Sequence, residues 1–169
     1  RDPEMSRGLG DVYKRQPRGS AHQGLQEYQA PVEYGRSEII RKGKKIAVLG
    51  VGSMIPSCME ICKGLKDDGY DPTFVNARFV KPLDVDLLDE LAKDHSLFVT
   101  VEENVKSGGY GEHVSAYMEA CHPEIRVLSA AVWDRFVPQG NVESLRSRIG
   151  LGVEDIRQAI EDSEELREQ

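Results

Sequence analysis

The fold is decided by the stretch Asp71-Pro72-Thr73-Phe74-Val75-Asn76-Ala77-Arg78-Phe79-Val80-Lys81-Pro82-Leu83-Asp84. Phe74 and Val75 are typical of a short buried strand. Pro82 ends this strand, because the residue before a proline is disfavoured in the helical region and proline cannot donate to a sheet. Leu83-Asp84 then begin a helix. The stretch therefore predicts a strand that turns into a helix within a few residues.

This reading places Arg78 at the carboxyl end of a strand, just before the chain turns. In open α/β sheets, ligands bind at that edge. A guanidinium is planar and permanently charged, which suits a phosphate or a carboxylate. The alternative is an arginine that forms an ion pair with a neighbouring loop, and position alone does not separate the two.

Strands and helices are predicted to alternate along the rest of the chain. Continuous apolar runs at 46–51 and 97–101 are typical of strands buried on both faces. Further strands are expected at 38–41 and 125–129, and 130–139 is expected to be an extended loop. Helices are predicted at 55–68, 85–93, 111–121, 142–148 and 153–163. This order predicts an α/β fold with a mostly parallel sheet and helices on both faces.

Composition excludes several classes of function. The chain has 169 residues and a net charge of -7, so it lacks the basic footprint of a nucleic-acid-binding protein. We find no apolar run of membrane-spanning length and no signal-peptide pattern, so we expect a cytoplasmic protein. An odd number of cysteines without paired spacing argues against a disulfide framework. Cys58 and Cys62 are expected to be buried thiols on one helix face rather than metal ligands.

Gly50-Val51-Gly52-Ser53 follows a strand and precedes a helix, which suggests a dinucleotide-binding turn. However, Ile55 stands where the third glycine of that motif is required, and Asn76 ends the next strand where an acidic residue is expected. A plain strand-to-helix turn, with Ser53 as the helix N-cap, is the better interpretation.

Glu102-Glu103-Asn104 ends another strand at the same edge. Neighbouring residues of a strand point in opposite directions, so the two carboxylates cannot form a catalytic pair. At most one faces the site, and the other caps or pairs. The glycine-rich loop Ser107–Gly111 follows, where the glycines suit a tight turn and the next helix N-terminus favours an anion.

No catalytic constellation of Ser, His and Asp, or of Cys and His, is evident in the sequence. The four histidines stand among polar neighbours and are expected at the surface. They are His22, His95, His113 and His122. We therefore assign no catalytic, cofactor-binding or metal-binding residue within this chain.

The chain divides into four segments. Residues 1–16 have no hydrophobic period, and Asp11–Gln16 resembles the translation of a sequencing-library adaptor, so we interpret 1–16 as a scar rather than a natural basic arm. Residues 17–35 are predicted to be a linker from an upstream domain. The folded domain is expected at 36–163, and residues 164–169 are expected to fray.

Four motifs, in this order, resemble those of one family. They are Pro17-Arg18-Gly19, the segment 76–84, the segment 99–104 with Gly108, Gly109 and Gly111 after it, and Asp134-Arg135-Phe136 through Gln139-Gly140. On these motifs the chain resembles the C-terminal domain of the 1-deoxy-D-xylulose-5-phosphate synthases, which are thiamine-diphosphate enzymes of the transketolase superfamily. The resemblance covers Pro17 to the last helix.

The resemblance implies a transketolase C-terminal-like fold and a fragment of a larger enzyme. That enzyme is a homodimer that condenses pyruvate with glyceraldehyde 3-phosphate and releases CO2, for isoprenoid, thiamine and pyridoxal synthesis. Thiamine diphosphate and Mg2+ would be bound by upstream domains that this chain lacks, so the fragment alone is expected to be inactive. The family's phosphate-binding arginine corresponds to Arg78.

Two points stay open. A second family arginine would fall at Arg15, inside the suspected scar, and its role is not carried over. The C-terminal domain of a transketolase or of a 2-oxo acid dehydrogenase β subunit is an alternative origin, and a stand-alone module that binds a phosphorylated ligand is another.

Overall fold

The computed structural model describes residue 28 and residues 30–165. The predicted adaptor scar, most of the predicted linker and the last four residues of the predicted tail lie outside the described residues. Within them, the last helix continues to Glu165, two residues beyond its predicted end.

The described residues form a five-stranded sheet in the order β1-β3-β2-β4-β5. β1 is antiparallel to β3, and the other neighbours are parallel. The strands are β1 (Glu38–Arg41), β2 (Lys45–Gly50), β3 (Thr73–Asn76), β4 (His95–Val105) and β5 (Arg126–Val132). The predicted α/β class with a mostly parallel sheet is confirmed.

Helices cover both faces of the sheet. They are α1 (Ile55–Asp67), α2 (Val85–Ala92), α3 (Tyr110–Cys121), α4 (Val142–Arg148) and α5 (Val153–Glu165). One buried cluster joins α1 and α5 to the sheet, and a second joins α2 and α3 to its other face. This arrangement explains why β2 and β4 are apolar without alternation, since both of their faces are buried.

Two strands are longer than the sequence predicts. β4 begins at His95 and ends at Val105, and β5 continues through residues 130–132, which were expected to be loop. Small residues at 130 and 131 carry little strand preference of their own. Pairing with β4 keeps these residues in the strand. The two strands stay in register from Leu97↔Arg126 to Val101↔Ala130, and after an irregularity Val105 pairs with Val132.

The surface prediction for His95 is wrong. His95 is buried at the amino end of β4, where its Nδ1–H donates to the Leu91 carbonyl at 2.8 Å. Its Nε2 accepts from the Thr73 hydroxyl at 2.6 Å, and the same hydroxyl accepts from the Gly43 N–H at 2.9 Å. Burial lowers the pKa of His95. The side chain is a neutral connector between strands.

Among the helices that the structure describes, none combines the length and the apolar character needed to cross a membrane.

Candidate functional site

The candidate site lies at the carboxyl ends of β2, β3 and β4. The helix after β2 packs on one face of the sheet and the helix after β4 packs on the other, although the two strands are neighbours. The chain therefore leaves them in opposite directions and opens a crevice between them. In this class of fold, such a crevice is the usual ligand site.

A polar bridge crosses this crevice. The Ser53 hydroxyl donates to Glu103 Oε2 at 2.7 Å, and Arg146 Nε of α4 donates to Glu103 Oε1 at 3.1 Å. Arg146 Nη2 lies 3.1 Å from the same oxygen and completes an ion pair. Ser53 is thus not the helix cap that the sequence predicts, because α1 begins after Met54 with no side-chain cap. These contacts tie α4 to the loop after β2 and to the end of β4.

Glu102 points to the opposite side of β4, as the strand pattern predicts. Its carboxylate is buried, with 2% of the residue exposed, and it accepts from the backbone N–H groups of Tyr110 and Gly111 at 3.0 and 2.8 Å. The free backbone N–H groups in the first turn of α3 therefore donate to the Glu102 carboxylate of the same chain rather than to an external anion. A Cβ at Gly109 would lie 2.6 Å from Glu102 Oε1, so this position requires glycine.

Arg78 lies where the sequence predicts, two residues beyond the end of β3. Its backbone has φ of 54°, a conformation that residues with side chains rarely adopt. The Arg78 N–H donates to the Asn76 side-chain oxygen at 3.2 Å, which supports this turn. The left-handed turn directs the chain away from the sheet before α2 begins.

The guanidinium of Arg78 is held by three described groups. Its Nη2 donates to Glu38 Oε2 at 2.5 Å and to the Ala30 carbonyl at 3.1 Å, and its Nη1 donates to the Pro31 carbonyl at 3.1 Å. The Arg78 and Glu38 side chains are only 13% and 10% exposed. The ion pair that the sequence left open as an alternative is present.

Glu38 is the residue of this site that sequence reasoning missed. It stands 40 residues before Arg78, and no local motif connects them. The connection comes from β1, which pairs antiparallel with β3 and brings Glu38 opposite Asn76. Only a prediction that β1 pairs with β3 would have connected Glu38 to Arg78.

The helix start next to this site is also anchored from β1. Asp84, the N-cap of α2, accepts from the Leu87 N–H at 3.4 Å and from the Ser37 N–H at 2.7 Å. Arg36 adds ion pairs to Asp84 at 3.0 Å and to Asp86 at 2.6 Å. The turn before β1 is thus fixed to the loop that carries Arg78.

The two neighbouring cysteines are buried, as predicted. Burial raises the pKa of the Cys58 thiol, and it raises the pKa of Cys62 to about 12, so both stay protonated at neutral pH. In residues 30–165, no three His, Cys, Asp or Glu side chains are grouped so that they could hold a metal ion.

Apolar side chains are exposed at the far end of the same edge. Phe136 is fully exposed, Trp133 is 56% exposed, and Val105 and Val142 are 40% and 55% exposed. We call these four residues the apolar rim. Beside it lies a cavity of about 390 Å³. Lys106 Nζ lies 4.7 Å from the Trp133 ring centroid, which fixes one end of the loop that carries the rim.

Fold and site together define an α/β domain with a charged, partly buried arginine at one end of its carboxyl edge and an apolar surface at the other. Residues 35–156 match the family model described as "Transketolase, C-terminal domain". The chain belongs to this family.

Curated relatives carry the name 1-deoxy-D-xylulose-5-phosphate synthase. The protein of Lachnoclostridium phytofermentans is 38% identical over 148 residues, which are 87% of this chain and 24% of that protein. The protein of Dictyoglomus thermophilum is 39% identical over 137 residues, 81% of this chain and 22% of that protein. The chain thus spans about a quarter of the length of these relatives.

A solved structure has the same fold. It is described as a split gene transketolase, inactive beta4 tetramer, and it superposes with a TM-score of 0.74 at 28% identity. The match covers 79% of this chain and 43% of that one. The transketolase C-terminal-like fold that the sequence motifs imply is confirmed.

Proposed function

We propose that this chain is the C-terminal domain of a thiamine-diphosphate-dependent 1-deoxy-D-xylulose-5-phosphate synthase. The proposal rests on the match to proteins named 1-deoxy-D-xylulose-5-phosphate synthase. The match covers most of this chain but only about a quarter of the length of those proteins. The whole enzyme would join pyruvate to glyceraldehyde 3-phosphate with release of CO2. Thiamine diphosphate and Mg2+ supply the carbanion chemistry there, and upstream domains would bind them.

Within that enzyme, Arg78 would bind the phosphate of glyceraldehyde 3-phosphate. Two independent arguments support this role: the family motif that contains Arg78, and its place at the carboxyl edge of the sheet. A charge-assisted hydrogen bond from one arginine contributes about 1.5–3 kcal/mol. This is too little to hold a ligand alone, so the domain by itself would bind phosphate weakly.

The apolar rim would be the contact surface for the upstream domains or for the second subunit of a homodimer. Large apolar side chains that are exposed together mark interaction surfaces. The segment that leads into the domain lies at the other end of the same edge, where Arg78 holds the carbonyls of Ala30 and Pro31.

A transketolase origin is the second candidate. The split-gene structure supports it, because a separately encoded part of a transketolase with this fold forms an inactive tetramer.

The test begins with the genomic DNA upstream of the Pro17 codon, read from an adaptor-free library. We expect the frame to continue into thiamine-diphosphate-binding domains. The whole enzyme should then form 1-deoxy-D-xylulose 5-phosphate, and the 169-residue chain should not. A start codon or a stop just upstream of the Pro17 codon, or product formed by the chain alone, would contradict the proposal. Activity with ketose phosphate donors instead of pyruvate would favour the transketolase origin.

Arg78→Ala in the whole enzyme tests the site. We expect the KM for glyceraldehyde 3-phosphate to rise about tenfold or more, from the loss of one charge-assisted contact. The KM for pyruvate should change little. Arg148→Ala, which removes an exposed arginine of α4, is the matched control. Equal KM values for the phosphorylated substrate in wild type and Arg78→Ala would remove Arg78 from the site.

A further inference from the structure

The Nη2 atom of Arg78 has no hydrogen left for a ligand. It carries two hydrogens, and both are used, one by Glu38 Oε2 and one by the Ala30 carbonyl. A guanidinium binds an oxyanion in a bidentate manner through two parallel N–H groups, either those of Nε and Nη2 or those of Nη1 and Nη2. Both arrangements need Nη2. A phosphate can therefore take a two-point grip on Arg78 only by displacing Glu38 or Ala30.

Glu38 is the partner whose displacement depends most on ligand charge. Its carboxylate carries one negative charge and lies 2.5 Å from Nη2. A carboxylate ligand would replace it with a group of equal charge and gain nothing. A phosphate ester is close to a dianion at neutral pH, so it gains attraction to the guanidinium that a carboxylate does not.

We propose that Glu38 occupies Arg78 as an internal competitor, so that Arg78 holds an anion by two N–H groups only when the anion is attracted strongly enough to displace Glu38. The proposal rests on the proposed phosphate role of Arg78. The competition weakens every anion by the same factor, so a dianionic phosphate, which Arg78 attracts more strongly, still binds at a concentration where a monoanionic 2-oxo acid does not.

Displacement of Glu38 would also loosen the segment that leads into the domain. Glu38 Oε1 accepts from the Ala30 N–H at 3.3 Å, while Arg78 holds the carbonyls of Ala30 and Pro31. The Arg78–Glu38 pair therefore holds Ala30 by its N–H and by its carbonyl. Phosphate binding and this hold on Ala30 exclude each other, so each weakens the other by the same factor.

The experiment uses the 169-residue chain at pH 7.5 and constant ionic strength, titrated with inorganic phosphate and separately with acetate. NMR shifts of the Arg78 side chain give the two dissociation constants, and amide exchange at Ala30 reports the hold on the segment. Glu38→Gln keeps the size of the side chain and removes its charge. Glu33→Gln removes a charge from an exposed residue of the same segment and serves as the control.

In Glu38→Gln we expect phosphate to bind about fivefold more tightly or better, as loss of a like charge within a few ångströms implies. Acetate should gain by a similar or smaller factor, because both anions displace the same carboxylate and the dianion is repelled by it more. Phosphate should speed exchange of the Ala30 amide in wild type and not in Arg78→Ala. Glu33→Gln should behave as wild type. Should Glu38→Gln fold poorly, Glu38→Ala must show the same direction of change.

Weaker, unchanged or undetectable phosphate binding in Glu38→Gln overturns the proposal, because Glu38 then orients Arg78 or has no effect on it. Arg78→Ala separates this failure from failure of the proposed function. If Arg78→Ala binds phosphate as well as wild type does, Arg78 is not the phosphate group at all. If Arg78→Ala loses binding while Glu38→Gln does not gain it, only the competition by Glu38 is wrong.

Discussion

The two edges of the sheet bury polar groups for different purposes. At the amino edge, His95 joins the Leu91 carbonyl to the Thr73 hydroxyl, and every atom in this chain of hydrogen bonds has a partner in the same domain. At the carboxyl edge, Glu102 holds the first turn of α3, the loop 103–108 beside it is exposed, and Gly108 and Arg78 have positive φ.

The amino-edge group ties β3, β4 and α2 together within the domain. The carboxyl edge combines a support, in Glu102 and α3, with an exposed apolar rim and with Arg78, whose side chain is 13% exposed. A functional edge needs such a support, because side chains that bind must be held in place before the ligand arrives. The predictions below test how the two edges differ.

The largest effect is expected at Glu102. Glu102→Ala leaves the buried N–H groups of Tyr110 and Gly111 without an acceptor, and each such loss costs about 1–3 kcal/mol. We expect the free energy of unfolding to fall by about 2–4 kcal/mol in a urea titration. A loss below about 1 kcal/mol, the level of an exposed ion pair, would mean that Glu102 does not support α3.

The second prediction concerns the approach of α3 to the sheet at Gly111. A Cβ there would lie 2.2 Å from Ser129 Oγ and 2.5 Å from Thr100 Oγ1, and both hydroxyls are buried. Gly111→Ala should therefore reduce the free energy of unfolding by about 1–3 kcal/mol. Helix propensity alone predicts the opposite sign, a gain of about 1 kcal/mol.

A double variant sharpens this prediction. Ser129 Oγ has no hydrogen-bond partner among the described residues, so Ser129→Ala should cost little. Adding Ser129→Ala to Gly111→Ala should restore part of the lost stability, since it removes the closest colliding atom. Independent, additive effects of the two changes would contradict a steric cause.

Sequence reasoning recovers the elements of this fold better than it recovers the contacts between them. The apolar run at β2 and the helix start after Leu83-Asp84 carry their signals locally, and both are found as predicted. Strand order carries no such local signal. Glu38 reaches Arg78 only because β1 lies beside β3, and His95 is buried only because β4 begins earlier than its apolar run.

The candidate site was predictable to the same extent. The position of Arg78 follows from a strand, a proline and a helix start within one stretch. The opposite directions of Glu102 and Glu103 follow from strand geometry, and the structure confirms them. Their individual partners do not follow, because Gly111 is supplied by a helix and Arg146 by an element 43 residues away.

The third prediction is a pH dependence at the amino edge. Because burial keeps the pKa of His95 below its ordinary value, the unfolded chain takes up this proton at a higher pH than the folded chain does. His95 therefore leaves stability unchanged above about pH 6.5 and lowers it progressively as the pH falls below that value. The slope from one proton is at most about 1.4 kcal/mol per pH unit.

Urea titrations at pH 7.5 and pH 5.5 check this slope. The loss of stability between the two values should be smaller in His95→Gln than in wild type, whereas His113→Gln, which changes an exposed histidine of α3, should match wild type. An identical loss in wild type and His95→Gln would show that His95 protonates as easily when folded as when unfolded.

The smallest effect is expected at Glu103, the neighbour of Glu102 on the other face of β4. Its carboxylate accepts from Ser53 and Arg146, but the Glu103 side chain is 38% exposed. Exposed ion pairs contribute about 0–1 kcal/mol, so Glu103→Ala should lower the free energy of unfolding by no more than that. The alanine substitutions at these two adjacent residues thus compare the buried carboxylate of Glu102 with the partly exposed carboxylate of Glu103. A loss at Glu103 as large as the loss at Glu102 would mean that α4 belongs to the core support of the carboxyl edge rather than lying across it.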